Sequence, residues 1–321
     1  MDEVLALLIS GDRVSGQRIS AALGISRAAV WKRVQRLRAL GLDIRGEGRG
    51  GYRLCGTPEA LQPAVLAAYG VGGRQVCCLP SVDSTNARAK ALAQGGAPHG
   101  ALVVADEQTC GRGRRGHGWH SPPGLGIWCS VILRPQVQTE AAPGLTLVTA
   151  LAVADGLRSS CGLDTAIKWP NDLRVGERKL CGILLELSAD MEGVQWVVAG
   201  IGVNVGHRRA DFPPDLGESA TSLAMELGAP PPRAGVLAAI LAALDIRYAQ
   251  WATDGLAALM PDYTARSATL GQRVRVCAGQ GAWDGLALGV DGTGALLVRD
   301  DGGTERRVLA AEVSIRRSAH G

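Results

Sequence analysis

The sequence predicts an α+β chain in three parts: an N-terminal winged helix-turn-helix, a central mixed β-sheet with helices, and a small C-terminal β-barrel. Three observations carry this reading. The basic excess of the chain sits wholly in its first segment. Apolar strands and long apolar helices then alternate with polar, glycine-rich motifs. Past Gly271 the pattern changes to short strands separated by glycine turns. The segments fall at 1–57, 64–267 and 268–321, with Thr57 to Pro63 as a linker. A chain of 321 residues suits two or three domains. Its apolar share of 46% can fill a core, and with one Phe and four Tyr that core is mainly Leu, Val, Ala and Ile.

Residues 1–57 carry ten Lys and Arg against five Asp and Glu, whereas the remainder carries 24 against 25. Such asymmetry points to nucleic acid. Val4 to Ile9 reads as a short helix. Ser15 can cap a second helix to Leu23, and Ser26, after the Gly24-Ile25 turn, a third through Leu40. Val30, Val34 and Leu37 recur at i, i+4, i+7 and give the third helix its buried stripe. Its other faces hold Arg27, Lys32, Arg33, Arg36 and Arg38 and no acid. Leu42 to Arg45 and Gly51 to Leu54 read as a hairpin whose tip, Gly46-Glu47-Gly48-Arg49-Gly50, is basic and glycine-rich. The third helix would enter the major groove, and the flanks and wing would touch phosphates. Gln17, Ser26, Arg27, Ala28, Trp31, Lys32 and Arg49 are the expected DNA contacts. The alternative is a helical adaptor with a solvated basic face.

In the central part, Ala64 to Tyr69 is a short helix and Gln75 to Leu79 a strand. Ser84, Thr85 and Asn86 then open an alanine-rich helix ending at Gln94, where simple capping competes with ligand binding. The strand Ala101 to Ala105 delivers Asp106-Glu107-Gln108 and then Gly111-Arg112-Gly113-Arg114-Arg115-Gly116-His117-Gly118-Trp119. Three arginines and four glycines fall within these nine residues. Glycine lets backbone approach a ligand closely, and arginine offers charged forks to phosphate or carboxylate. This loop is expected to close over an anion; a solvated basic loop is the alternative. It is not a P-loop, because no Gly-Lys-Ser/Thr follows. Leu125 to Leu133 is a strand and Gly144 to Cys161 a long apolar helix. Thr165 to Ile167 is a strand ending at Lys168-Trp169-Pro170-Asn171-Asp172. Lys179 to Leu187 and Gln195 to Val205 are paired strands, loops fill 206–233, and Ala234 to Trp251 is an amphipathic helix. The C-terminal strands are Arg273 to Val276, Trp283 to Leu288, Ala295 to Val298, Arg306 to Leu309 and Val313 to Ile315.

The eight cysteines include no Cys-x-x-Cys, and no His stands at zinc-ligand spacing. Reduced, mostly buried thiols in a cytosolic chain are expected, with Cys110 in a packing role. No run of 18 or more apolar residues and no basic-then-apolar leader is present, so the expected location is the cytoplasm, with no membrane partner. Only four of the 34 basic residues are Lys, and two of them, Lys168 and Lys179, lie in the motifs discussed next. Lysine is kept where a compact ammonium is needed.

Taken together, Ser84-Thr85-Asn86, Gln108, the Gly111 to Trp119 loop with Ser121-Pro122, Lys168 to Asp172, Arg178 to Leu184, and Gly200-Ile201-Gly202-Val203-Asn204 resemble the motifs of bifunctional biotin–protein ligases that are also biotin operon repressors. The resemblance spans the whole chain. It implies a biotin ligase-like central sheet of the class II synthetase type and an SH3-like C-terminal barrel. It implies that biotin and MgATP give biotinyl-5′-AMP, and that biotin then passes to a lysine of a biotin carboxyl carrier protein. Neither step needs a protein nucleophile; both need two anions held together and charge stabilised.

By this resemblance Ser84, Thr85, Asn86 and Gln108 line the biotin end, and Arg112, Gly113 and Arg114 cover the ligand's middle. Lys168 bridges carboxylate and α-phosphate and, with Arg112, is the catalytic group. Arg112, Arg114, Arg115, Lys168, Trp119 and Asn204 take the ATP, the last two beside adenine. No protein ligand is assigned to Mg²⁺, for which Asp172 is a candidate. Operator DNA and a ligand-promoted homodimer follow as partners. The chain departs from the family at His117, where a basic residue is usual, and at Trp31, where some members carry a smaller polar residue. The competing readings are a biotin sensor without catalysis, a lipoate–protein ligase and a pure DNA-binding protein.

Overall fold

A computed structural model describes residues 2–9, 12–46, 51–56, 61–278, 281–309 and 312–315. Helices α1 (Glu3–Leu8), α2 (Gly16–Leu23) and α3 (Arg27–Ala39) are each started by a side-chain cap, from Asp2, Ser15 and Ser26. Gly24, at φ 63°, ends α2 in the left-handed region. Val30, Val34 and Leu37 are buried with Val4, Leu5, Leu8 and Ile19, as the stripe predicts. The antiparallel pair β1 (Asp43–Gly46) and β2 (Tyr52–Gly56) forms the wing. Its tip, including Arg49, lies outside the described residues. Two of the five cations on α3 turn back onto their own module: Arg33 pairs with Glu3 at 2.7 Å, and Arg38 Nε donates to Ile44 O at 2.7 Å. Gln17, Ser26, Arg27, Ala28, Trp31 and Lys32 are all exposed.

Helix α4 (Pro63–Leu66) runs on as a π turn to Val71 and is tied to the N-terminal module by Asp2 N–H donating to Ala68 O. The central sheet uses β3 (Val76–Val82), β4 (Leu102–Gln108), β5 (Gly126–Leu133), β6 (Ala166–Lys168), β7 (Asp172–Val175), β8 (Arg178–Asp190) and β9 (Gly193–Asn204). Their order is β3-β4-β5-β9-β8-β7-β6, and only β3 and β4 run parallel. Helix α5 (Thr85–Gln94) joins that parallel pair and covers one face of the sheet, packing Ala89 and Ala93 against Val103, Ile132 and Val198. Helices α6 (Gly144–Cys161) and α8 (Arg233–Asp254) cover the other face. With both faces buried, β5 is apolar almost throughout, its eight residues all buried. Helix α6 is the described helix long and apolar enough to cross a membrane, but most of it is buried against α8 and the sheet.

Three elements were not expected from the sequence. Strand β7 makes Lys168 to Asp172 the turn of a hairpin, with Lys168 paired to Asp172 in register. Its four residues alternate charge with Leu and Val and are too few to show a period. Helices α7 (Leu223–Leu227) and α9 (Met260–Arg266) span five and seven residues, again too short for a helical stripe to be read. At the C-terminus β10 (Arg273–Ala278), β11 (Gly281–Val290), β12 (Leu296–Asp300), β13 (Glu305–Val308) and β14 (Glu312–Ile315) occur where expected. They form a five-stranded antiparallel sheet in the order β13-β12-β11-β10-β14.

The crossing of α6 and α8 depends on Gly156. A Cβ there would lie 2.6 Å from Ile240 Cα and 2.7 Å from Ile240 N, and backbone cannot yield cheaply. Alanine is the better helix former by about 1 kcal/mol, but overpacking costs roughly 1–3 kcal/mol. Gly156→Ala is therefore expected to destabilise the chain despite its gain in propensity, seen as a lower urea midpoint. A raised midpoint would show that the helices can separate.

Candidate functional site

Over β8 and β9 lies a cleft of about 820 Å³. Ser84, Thr85 and Asn86 enter it from the start of α5, Gln108 from the end of β4, and Arg112, Gly113, Arg114, Arg115 and Trp119 from the loop that follows. Lys168 reaches it from the end of β6 and Asn204 from the end of β9. Eleven residues singled out in the sequence thus meet in one place, drawn from five separate elements. Asp172 and His117 line the same cleft, and Val313 of the C-terminal sheet adds to its wall.

Three glycines make the floor. Gly182 and Gly202 are register partners on β8 and β9, and Gly200 lies two residues before Gly202. A Cβ on Gly202 would stand 2.4 Å from Trp119 Nε1, and one on Gly182 2.9 Å from Trp119 Cζ3. A Cβ on Gly200 would stand 2.2 Å from Asn86 Oδ1. The missing side chains let an indole and an amide lie directly on the sheet. None of the three has a positive φ, so close approach alone demands glycine here.

At one end the cleft is polar and neutral. Thr85 N–H and Oγ1–H both donate to Gln108 Oε1, at 2.9 and 3.0 Å, and Gln108 Nε2 donates to Ser121 Oγ at 2.9 Å. Asn86 Nδ2 donates to Leu184 O at 3.1 Å and to Glu186 Oε2 at 2.9 Å, while Ser130 Oγ lies 2.6 Å from Asn86 Oδ1. Lys90 neutralises Glu186 at 2.5 Å. Ser84 caps α5, its Oγ accepting from Ala87 N–H at 3.4 Å. The capping alternative therefore holds for Ser84, while Thr85 and Asn86 are fixed by tertiary partners.

The other end is cationic. Arg114 Nη1 donates to Asn171 Oδ1 at 3.3 Å, and Asn171 Nδ2 donates to Ile183 O at 2.8 Å. Burial first, then Arg115, push the Arg114 guanidinium below its usual value, with Asp172 opposing. Asp172 pairs with Lys179 at 2.7 Å, and Lys179 Nζ stands 5.2 Å from the centre of the Trp119 ring. Arg115 holds a left-handed backbone, φ 56°, a conformation that costs a non-glycine residue roughly 1–2 kcal/mol. Its Nη2 donates to Cys277 O at 3.2 Å, which clasps the loop to the C-terminal sheet. Half-buried Lys168 faces the cleft beside these groups, and Asn204 Nδ2 donates to Thr221 O at 2.9 Å.

Sequence reasoning missed several groups that build the site. Lys179 is flagged by the scarcity of lysine and by its place in the Arg178 to Leu184 motif, but without a role. Ser130 could have been found as the lone polar residue of an otherwise apolar strand. Asn171 and the three floor glycines lie in the recognised motifs but received no role there, and Glu186 gave no usable signal, since their partners lie far off in sequence. Among the described residues no cluster of three or more His, Cys, Asp or Glu could hold a metal. Cys110 is exposed rather than packed, because it stands at the surface where β4 leaves the sheet. All eight thiols are free, and only Cys129 and Cys181 are fully buried, fewer than expected. Burial pushes Cys129, in the cleft wall, up to about 12, and raises Cys181 as well. Neither is a thiolate nucleophile.

The loop 206–222 rests on His207. This buried ring stacks on Phe212 at 4.7 Å and meets Trp128 edge-on at 6.0 Å. Burial, then the nearby His120, lowers it from the usual 6.5 to about 4. Between those values the unfolded chain takes up a proton that the folded chain refuses. The stability this ring contributes is complete above pH 6.5 and is lost as pH falls toward 4. His207→Phe is expected to flatten that stretch of the stability–pH curve, as urea unfolding at pH 7 and pH 5 would show. An unchanged slope would place the titration elsewhere.

The three segments match three family models: an HTH domain over residues 1–53, the Biotin/lipoate A/B protein ligase family over 78–204, and the Biotin protein ligase C terminal domain over 269–316. The bifunctional ligase/repressor BirA of Bacillus subtilis is 39% identical over 306 residues, covering 94% of each chain. The biotin–[acetyl-CoA-carboxylase] ligase of Paracoccus denitrificans is 40% identical over 73% of this chain and 98% of its own. A biotin protein ligase from Aquifex aeolicus, solved in complex with biotin and ATP, superposes with a TM-score of 0.66 at 31% identity, covering 76% of this chain and 99% of that one. A catalytic-type cleft behind a winged helix, and relatives alike along nearly the entire length, lead to one conclusion: the chain belongs to the family of bifunctional biotin protein ligases and repressors.

Proposed function

We propose that the chain couples biotin to ATP, giving biotinyl-5′-AMP and pyrophosphate, and passes the biotinyl group to a lysine of a biotin carboxyl carrier protein of the acetyl-CoA carboxylase type. The observation that carries this is the cleft's polarity: a neutral amide network at one end and converging cations at the other, over a floor without side chains. That shape suits a ligand with a uncharged ureido ring, an apolar middle and a phosphate.

Ser84, Thr85, Asn86 and Gln108 take the ureido end. Asn86 spends its amide on Leu184 and Glu186, so it acts as a fixed wall. Arg112, Gly113 and Arg114 cover the middle, and Lys168 bridges carboxylate and α-phosphate. Arg115 adds charge on the phosphate side. Trp119 stacks near adenine, and Asn204, its Nδ2 already donated to Thr221 O, turns Oδ1 toward the adenine amine. In the first step a biotin carboxylate oxygen bonds to the α-phosphorus as the bond to the pyrophosphate oxygen breaks. In the second the lysine amine bonds to the carbonyl carbon, AMP leaves and the amine loses a proton. Both transition states gather negative charge where Arg112 and Lys168 converge. Mg²⁺, arriving with ATP, would neutralise phosphate charge. The cleft lining holds two carboxylates, Asp215 and Asp172, the latter already engaged by Lys179, so phosphate oxygens and water would supply most of its shell.

We further propose that the bound adenylate favours a homodimer placing two winged helices on a two-fold operator of biotin synthesis genes, in the cytoplasm. A transfer assay with biotin, MgATP and a carrier domain is expected to add one biotinyl mass to the carrier. No gain from a folded, biotin-binding chain would leave the sensor reading. Lys168→Ala is expected to slow pyrophosphate release by on the order of 10²–10³-fold while DNA binding persists. Arg112→Gly is expected to release adenylate and label lysines on unrelated proteins; labelling confined to the carrier would exclude the loop as a lid. Gel shifts indifferent to biotin plus ATP would refute the coupling of ligand to repression.

A further inference from the structure

The exposed face of α3 carries an apolar feature that phosphate binding does not use. Trp31 is 54% exposed, in a helix whose surface is otherwise basic, and exposed Ala28 lies one turn before it. An indole left in water forgoes a large burial gain. The ring is also held in place. With the Gln35 amide turned to satisfy its neighbours, its oxygen accepts from Trp31 Nε1 at 3.2 Å and from Arg38 Nη1 at 3.1 Å. Arg38 in turn donates to Ile44 O on β1. The wing therefore fixes the indole through two side chains.

This geometry narrows what Trp31 can do on DNA. Its one N–H is spent on Gln35, so it has no donor for a base-edge acceptor. A ring lying on a helix in the major groove meets base-pair edges rather than faces, and the apolar group exposed on those edges is the thymine methyl. Exposed Arg27, Lys32 and Arg36 flank it as phosphate partners.

We propose that Trp31, with Ala28 beside it, is the apolar base-reading element of this winged helix, contacting the C5-methyl of a thymine in each operator half-site. The inference rests on the operator-DNA reading above and adds to it a residue and a base. The full chain, with biotin and MgATP, would first select duplexes from a random library. Each thymine of the selected site would then be replaced by deoxyuridine, which removes a methyl and leaves pairing intact. One thymine per half-site is expected to be sensitive, losing about fourfold in affinity for its single methyl. Trp31→Ala should bind the unmodified site more weakly and no longer distinguish uracil from thymine, with an unchanged slope of affinity against salt. Trp31→Phe should keep the distinction. Sequence-specific, salt-dependent binding that ignores every uracil substitution, or a Trp31→Ala chain that still senses the methyl, overturns the inference and leaves the operator reading standing. Absence of any selected sequence removes both.

Discussion

The cleft exists because one patch of the central sheet has no side chains. Gly182, Gly200 and Gly202 let Trp119 and Asn86 descend to van der Waals contact with backbone, and everything above them takes its height from that floor. Asn86 then reaches Leu184 O, Glu186 and Ser130, and its position fixes the start of α5 that carries Ser84 and Thr85. Trp119 sets the far anchor of the arginine loop, and Lys179 settles over its ring. A methyl on Gly200 would displace Asn86 at one end of the cleft, and one on Gly182 or Gly202 would displace Trp119 at the other.

Above that floor the electrostatics are deliberately unbalanced. Arg112, Arg114, Arg115, Lys168 and Lys179 share the cleft with Asp172 and Asp215. Holding like charges together is unfavourable, and a phosphate bound among them would relieve that repulsion. The strained backbone of Arg115 and its bond to Cys277 show the C-terminal sheet helping to hold the loop. That sheet is itself tied in by Trp169, whose Nε1 donates to Gly294 O at 3.0 Å. Within the Lys168 to Asp172 motif, Trp169 thus anchors a domain, Asn171 braces β8 and Arg114, and Asp172 holds Lys179. Lys168 is the member for which a chemical role is proposed.

Local chemistry written in the sequence determined a good deal. The capped helices and buried stripe of the N-terminal module, the long strands and helices of the centre, and the five C-terminal strands follow from caps, glycine turns and periods that act over a few residues. The residue types that gather in the cleft were also legible, because charge and glycine are written one position at a time. Only the tertiary structure decided that β7 turns the Lys168 to Asp172 stretch into a hairpin. It alone showed that the floor glycines answer to Trp119 and Asn86, that Ser130 and Glu186 orient an amide 44 and 100 residues away, and that Arg33 and Arg38 are spent inside their own module. These depend on which strands become neighbours, and that is fixed by burying both faces of one sheet, a condition summed over the whole chain and stated by no single stretch of it.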